Sequence, residues 1–539
     1  MTQNTIRAAD ALAQRLYAAG CRHAFGMPGG EVLTLVDALE AVGIRFILAK
    51  HENAAAFMAE GAWHRTGAPG ILIATVGPGV LNGVNAVANA LQDRVPLLVL
   101  AGCVDADEAQ TYTHQVLDQN AVFAPITKAS FTLNAGAAHV IADKAVGIAL
   151  EGRMGPVHID VPIAVAVAQV PATPPAPRPA SGPTAPAGTA LDTARTWLAA
   201  AQRPVMIAGV DAMNEGAEPA IRTFCETHKV ALITSYKAKG TLPEDHDLAL
   251  GGAGLSPLAD QHLLPVVQAA DLIICAGYDP IEMRPGWRDV WDPRKQNVID
   301  IAPEPNHHYM HQATLNIIAS VGASLEAISE GVQPLKTWPQ GELETCKTGL
   351  SAAFPCDGDW GPGAIVDVCR TTLPHDALAT ADSGAHRILL SQQWVNYEPR
   401  GMMQSSALCT MGCAIPLAIG AQMVEPERTV ISFCGDAGFL MVAGELATAK
   451  EHQLKTIFLV FVDRSLALIE KKQRERQLRN TGVDFAEHNF AALGQAFGGV
   501  GTDVRSRAEL KTALENAMKS DTFTVIAAHI ERGAYDGRI

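Results

Sequence analysis

The chain reads as an α/β protein built from three doubly wound parallel-sheet domains. Short apolar runs of strand length alternate with helix-length segments along most of its 539 residues. That β–α alternation is the signature of a parallel sheet covered by helices on both faces. Two breaks divide it. Residues 171–188, rich in Pro, Ala and Thr, read as an extended, semi-rigid linker, and a looser stretch over 331–362 separates the second block from the third.

The first block, 1–170, is predicted to open with a helix over 8–19. A short strand at 46–49, a small-residue helix over 53–66 and an apolar strand at 71–75 follow. A helix over 79–92, a strand at 96–101 and a closing strand at 157–161 complete it. The middle block, 189–330, carries apolar runs at 204–208, 230–234, 271–275 and 297–301. The third, 355–539, carries them at 377–380, 429–434, 456–462 and 522–528, with a helix predicted over 443–453. Three blocks of this size suit the usual span of a domain.

Bulk composition excludes several classes. Hydrophobic residues make up 48%, enough for a sizeable core, and the net charge of −15 argues against nucleic-acid or anionic-membrane partners. Apolar stretches fall short of a membrane span, and the first residues carry no signal-peptide core. The ten cysteines are scattered without a Cys-x-x-Cys pair, so reduced core thiols and a cytoplasmic location are expected.

Two aspartates are the most informative residues. Asp436 follows the apolar run 429–434 within Gly435-Asp436-Ala437-Gly438, and Asp463 ends the run 456–462. A strand–helix–strand unit places both at the carboxyl edge of a parallel sheet, where ligands bind in open α/β folds. Two hard oxygen donors beside helix N-termini suit magnesium carrying a phosphorylated group. Glu52 sits after a strand at the start of a helix, where it also complements the helix dipole. Gly77-Pro78-Gly79 reads as a turn, Met411 lies in an apolar run, and His114-Gln115 lies in a polar loop.

These segments resemble the thiamine-diphosphate-dependent enzymes over nearly the whole chain. Asp436 matches the Asp of the family's Gly-Asp-Gly signature, 27 positions before Asp463, which stands where the family has the second Asn of Asn-Asn. The resemblance implies magnesium held by Asp436, Asp463 and the Ser465 carbonyl. Gly435, Ala437, Gly438 and Leu466 would lie along the diphosphate. Asp463 in place of Asn adds a negative charge, which Arg464 is expected to offset in part. Glu52 matches the glutamate that hydrogen-bonds the cofactor's aminopyrimidine and tunes its proton sharing. Gly77, Pro78 and Gly79 would pack against that ring, Met411 would wedge between the two cofactor rings, and the Cys409 carbonyl would meet the 4′-amine. The segment from Tyr236 to His246 resembles a hallmark of the family's middle domain. Because Glu52 and Asp436 fall on different domains, the resemblance implies a homodimer or homotetramer with active sites between subunits.

Within the family the chain looks most like acetolactate synthase. Pyruvate decarboxylases carry acids where this chain has Gly30 and Ile469, so a simple aldehyde-releasing decarboxylase is disfavoured. His114 and Gln115 match an active-site pair. Gln115 is expected to face the substrate carbonyl and His114 to relay or position protons. Lys472 replaces a tryptophan at the acceptor pocket, where it and Arg284 could pair with an anionic substrate end. The expected reaction is decarboxylation of a small 2-oxo acid with capture by an aldehyde or second oxo acid. Within the class the alternatives are a non-ligating decarboxylase and a C–C lyase. A catalytically silent cofactor-binding subunit is the rival outside it, and the retained Glu52 and two metal carboxylates speak against that. Flavin, bound by the synthases, stays open as a cofactor but is not supported by the middle block, and the family's C-terminal lid is expected to be shortened.

Overall fold

The computed structural model describes residues 4–334 and 336–539, Glu282 by its backbone alone. Residues 1–3 of the segment read for a signal peptide, and Leu335 of the looser stretch, lie outside them. Three six-stranded parallel sheets follow one another along the chain. The first block holds β1 (Thr5–Arg7), β2 (His23–Met27), β3 (Arg45–Leu48), β4 (Gly70–Ala74), β5 (Leu97–Cys103), β6 (Ala129–Thr132), β7 (Val157–Pro162) and β8 (Gln169–Pro171). Its sheet order is β3-β2-β4-β5-β7-β6. β4 and β5 run fully apolar through the centre of that sheet, as a strand buried on both faces must. β2 and β6, which were not read from the sequence, carry His, Gly, Ser and Thr among their apolar residues and so lack a clean run. β1 and β8 pair antiparallel, so Pro171, expected to open the linker, instead ends a strand. The helix expected over 79–92 is two, Pro78–Asn82 and Val84–Gln92, parted at Gly83, a residue that costs more than others to hold in a helix.

The middle block holds β9 (Pro204–Ala208), β10 (Ala231–Ser235), β11 (Ala249–Ala253), β12 (Leu272–Ala276), β13 (Asn297–Ala302) and β14 (Leu315–Ile318), in the order β11-β10-β9-β12-β13-β14. The third holds β15 (Leu378–Ala381), β16 (Met402–Gln404), β17 (Val430–Gly435), β18 (Ile457–Val462), β19 (Val500–Val504) and β20 (Thr524–His529), in the order β16-β15-β17-β18-β20-β19. The helix expected over 443–453 starts earlier. It begins at Asp436, runs to Val442, tightens to a 3₁₀ turn over Ala443–Glu445 and resumes over Leu446–Glu451. Among the described residues no helix is long and apolar enough to cross a membrane.

The first and third blocks share one hydrophobic core, with Phe57 and Met58 in the same cluster as Ile415, Leu417 and Phe439. Helix Glu52–Thr66 crosses helix Ala414–Val424 there at backbone distance. A Cβ on Gly61 would lie 2.2 Å from the Leu417 carbonyl oxygen, and one on Gly420 only 1.9 Å from that of Met58. The segment resembling a middle-domain hallmark forms a joint between blocks. Lys237 Nζ reaches Asp93 at 2.8 Å, while Asp93 accepts the amides of Ser406 and Ala407.

Candidate active site

A cavity of about 560 Å³ opens at the carboxyl edge of the third sheet, where β15, β17 and β18 end side by side. Each strand hands over to a helix that starts at the cavity wall. β15 passes through Asp382, Ser383 and Gly384 into helix Ala385–Gln393; β18 passes through Asp463 to Leu466 into helix Ala467–Glu475. Helix starts of this kind offer unpaired N–H groups to an anion. Two side-chain atoms at the cradle, Ser383 Oγ and His386 Nε2, are buried and without a hydrogen-bond partner. Burial first, and the neighbouring Arg387 charge second, hold the His386 pKa down to about 3, against a hydrogen bond to the Asp382 backbone that favours the protonated ring. The helix N–H groups and the Ser383 hydroxyl are the donors here that fit a diphosphate.

The two aspartates meet as the strand ends require. Asp436 Oδ2 accepts the amides of Asp463 at 3.2 Å and Arg464 at 2.7 Å, and Asp463 Oδ1 accepts that of Ser465 at 3.2 Å. Burial, and then the Asp436 charge, push the Asp463 carboxyl up to about 7. A buried carboxylate and a half-buried one that repel each other form a pair of hard oxygen donors that fits a magnesium ion. Among the described residues no group of three acidic, His or Cys side chains could hold a metal alone, so other oxygens must come from ligand or water. Arg464 does not offset the added charge. Its backbone is left-handed and its guanidinium turns out to Glu487 at 3.4 Å. Arg532, paired with Asp484, is the cation that acts on Asp463.

Cys409, Met411, Gly435, Ala437, Gly438 and Leu466 line the same cavity. Asp382 holds the Met411 segment by accepting the amides of Gly412 and Cys413, and a Cβ on Gly438 would lie 1.9 Å from its Oδ2. Arg284, Ile469 and Lys472 line the outer part. The Arg284 guanidinium is already paired with Asp260 at 2.5 Å, whereas Lys472 is exposed on its helix.

Glu52, Gly77, Pro78, Gly79, His114, Gln115 and Gly30 do not line this cavity; they cluster at the carboxyl edge of the first sheet. Glu52 is buried and its Oε2 accepts from Asn82 at 2.9 Å; its Oε1 lies 3.0 Å from where a Gly79 Cβ would stand. Gln115 has a left-handed backbone and packs on Gly77, while His114 is exposed beside Tyr112. Gly30 is exposed with open space about it. Sequence reading missed Ser383, His386, Arg387 and Tyr535, all on the cavity wall. Asp382-Ser383-Gly384 after an apolar run repeats the strand–Asp–Gly pattern that marked Asp436, and would have pointed to the first three.

The crevice of the middle sheet is crowded. Its switch point lies between the ends of β9 and β12, but Gly209 and Gly277 are packed into the facing loops there. The carboxylates of Asp211, Asp279 and Asp300 are buried near one another. Arg153 and Arg94 of the first block close the crevice, at 3.0 Å from Asp211 and 2.7 Å from Asp279.

Fold and site together define the class: this chain is an enzyme that belongs to the thiamine pyrophosphate family. The family's N-terminal TPP binding domain matches residues 6–122, its central domain 191–328 and its C-terminal TPP binding domain 382–528. More particularly, the chain is similar to acetolactate synthases. It is 30% identical to the acetolactate synthase of Bacillus subtilis (strain 168), over 97% of this chain and 93% of that one. It is 29% identical to the isozyme 1 large subunit of Escherichia coli (strain K12), over 98% and 95%, and 31% identical to the large subunit of Lactococcus lactis, over 90% and 86%.

Proposed function

We propose that this enzyme decarboxylates a short 2-oxo acid and joins the product to a second carbonyl compound, with thiamine diphosphate and magnesium bound. The observation that carries the reading is the pairing of a diphosphate cradle at one sheet edge with a buried glutamate at another. Thiamine diphosphate supplies, when bound, an acidic carbon that acts as nucleophile and electron sink. The chain's own residues do the rest. Ser383 and the helix starts at Ala385 and Ala467 would bind the diphosphate, and Asp436, Asp463 and the Ser465 carbonyl would hold the metal. Glu52 would hold a proton at the pyrimidine nitrogen, its burial excluding water from that exchange. Gln115 would orient the substrate carbonyl and His114 would position it. Lys472, rather than Arg284 with its Asp260 partner, would meet a substrate carboxylate. Since the cavity contains no residue of the Glu52 cluster, we place the working site between two copies of the chain, in a homodimer or homotetramer. Ten free thiols suit a reducing cytoplasm, and the crowded middle sheet suits an enzyme without flavin.

A screen of short 2-oxo acids, alone and with aldehydes, following CO₂ and ligation product together, tests the reaction. Glu52→Gln is expected to cut CO₂ release by at least about a hundredfold, the usual scale of a lost proton-transfer group, while thiamine diphosphate still binds. Chelation of the metal is expected to release the cofactor. Turnover unaffected by Glu52→Gln would sink the assignment.

A further inference from the structure

The Gly77-Pro78-Gly79 turn beside Glu52 is held by side chains that the proposed chemistry does not use. Glu31 lies on the 3₁₀ turn Gly30–Val32, and its Oε2 accepts from Thr75 Oγ1 at 2.5 Å. Two glycines clear the way for this contact. A Cβ on Gly29 would stand 2.1 Å from Thr75 Oγ1 and 3.1 Å from Glu31 Oε2, and one on Gly102 would stand 2.8 Å from Glu31 Cβ. Thr75 in turn sets the start of the Gly-Pro-Gly segment, because its carbonyl accepts the Val80 amide at 3.0 Å. Its methyl carbon lies 2.9 Å from the place of a Gly79 Cβ, the same place that lies 3.0 Å from Glu52 Oε1. The far side of the turn has its own post. Buried Gln119 accepts the Gly77 amide at 3.2 Å and donates to Asp160 at 2.5 Å and to the Gly102 carbonyl at 3.2 Å.

Glu31 reaches the turn through Thr75, whose methyl carbon and Glu52 Oε1 both crowd the one place where a Gly79 Cβ would stand. We propose that Glu31, acting through Thr75, is the positioning residue that holds the Gly77–Gly79 turn against Glu52 at the spacing cofactor binding requires. Gln119 braces the other end. The inference rests on the thiamine-diphosphate reading of this half-site, and it makes the Glu31 carboxylate an acceptor whose charge is dispensable.

Calorimetric titration of the full-length protein with thiamine diphosphate in excess magnesium tests it, alongside kcat, the cofactor KM and the melting temperature of the cofactor-free protein. Glu31→Ala and Thr75→Val are expected to weaken cofactor binding about tenfold, the low end of what losing a supporting residue costs, with the cofactor-free melting temperature little changed. Glu31→Gln keeps an acceptor and is expected to stay within about twofold of wild type. Three results would overturn the proposal: Glu31→Ala at wild-type affinity, Glu31→Gln as weak as Glu31→Ala, or a loss in Glu31→Ala that a lowered melting temperature fully accounts for. Wild-type protein that takes up no cofactor would instead overturn the proposed function.

Discussion

His386 is buried, points an unpartnered Nε2 at the diphosphate cradle and stays neutral because burial keeps its proton off. That neutrality has a price in acid. A histidine whose folded pKa is about 3 against an ordinary 6.5 contributes stability that is intact above 6.5. The contribution falls as pH drops through that window towards 3. Between pH 6.5 and 5 the cofactor-free wild type is expected to lose up to about 2 kcal/mol that His386→Gln retains, read from chemical denaturation at each pH. Equal acid sensitivity in both proteins would show the ring is not so confined. Asp463 makes a similar point about reading residues singly. Its place at a strand end was legible, but the partner of its charge was not. A neighbour in sequence, Arg464, turns away to Glu487, and a distant one, Arg532, does the screening.

Helix Glu52–Thr66 serves two ends at once. Its first residue is the catalytic candidate, and its glycine near the middle lets helix Ala414–Val424 approach until backbones touch. The second helix begins three residues after Met411, which lines the cavity. One crossing therefore ties the placement of Glu52 to that of Met411 within the subunit. Gly420→Ala puts a carbon 1.9 Å from the Met58 carbonyl oxygen, a contact that must be relieved by moving a helix. The expected cost is about 2 kcal/mol or more, from overpacking a closed interface, measured by thermal or chemical unfolding. Wild-type stability in that variant would mean the crossing is looser than it stands. Nothing in the runs of Ala and Gly in these helices told which glycine served conformation and which served approach, because both look alike until the partner helix is in place.

At the scale of the whole molecule, the blocks are locked by buried ion pairs where their edges meet. Lys237 of the middle block sits on Asp93 of the first, and Asp93 holds the amides before Met411 in the third. Arg153 and Arg94 plug the middle sheet from the first block. A molecule so jointed presents its two half-sites as fixed surfaces, which makes assembly testable. Subunits carrying Glu52→Gln and subunits carrying Asp436→Ala are each expected to be inactive. Mixed by dissociation and reassembly, they are expected to regain up to about a quarter of wild-type activity, since half the dimers are then hybrids with one intact site of two. No recovery on mixing would place both halves of the site within one chain.

The sequence by itself determined the three-block α/β order, the strand ends that carry Asp436 and Asp463, and the helix that opens with Glu52. Those follow from apolar runs and the residues that terminate them, which are local. The tertiary structure decided the rest. It added the polar strands β2 and β6, which are strands only because a sheet neighbour pairs with them. It brought Ser383, His386 and Tyr535 to the cavity wall, set Glu31 against Thr75, and filled the middle sheet's crevice with Asp211, Asp279 and two arginines. Each of these joins residues far apart in the chain, and whether a buried polar group finds a partner depends on which distant segment packs against it.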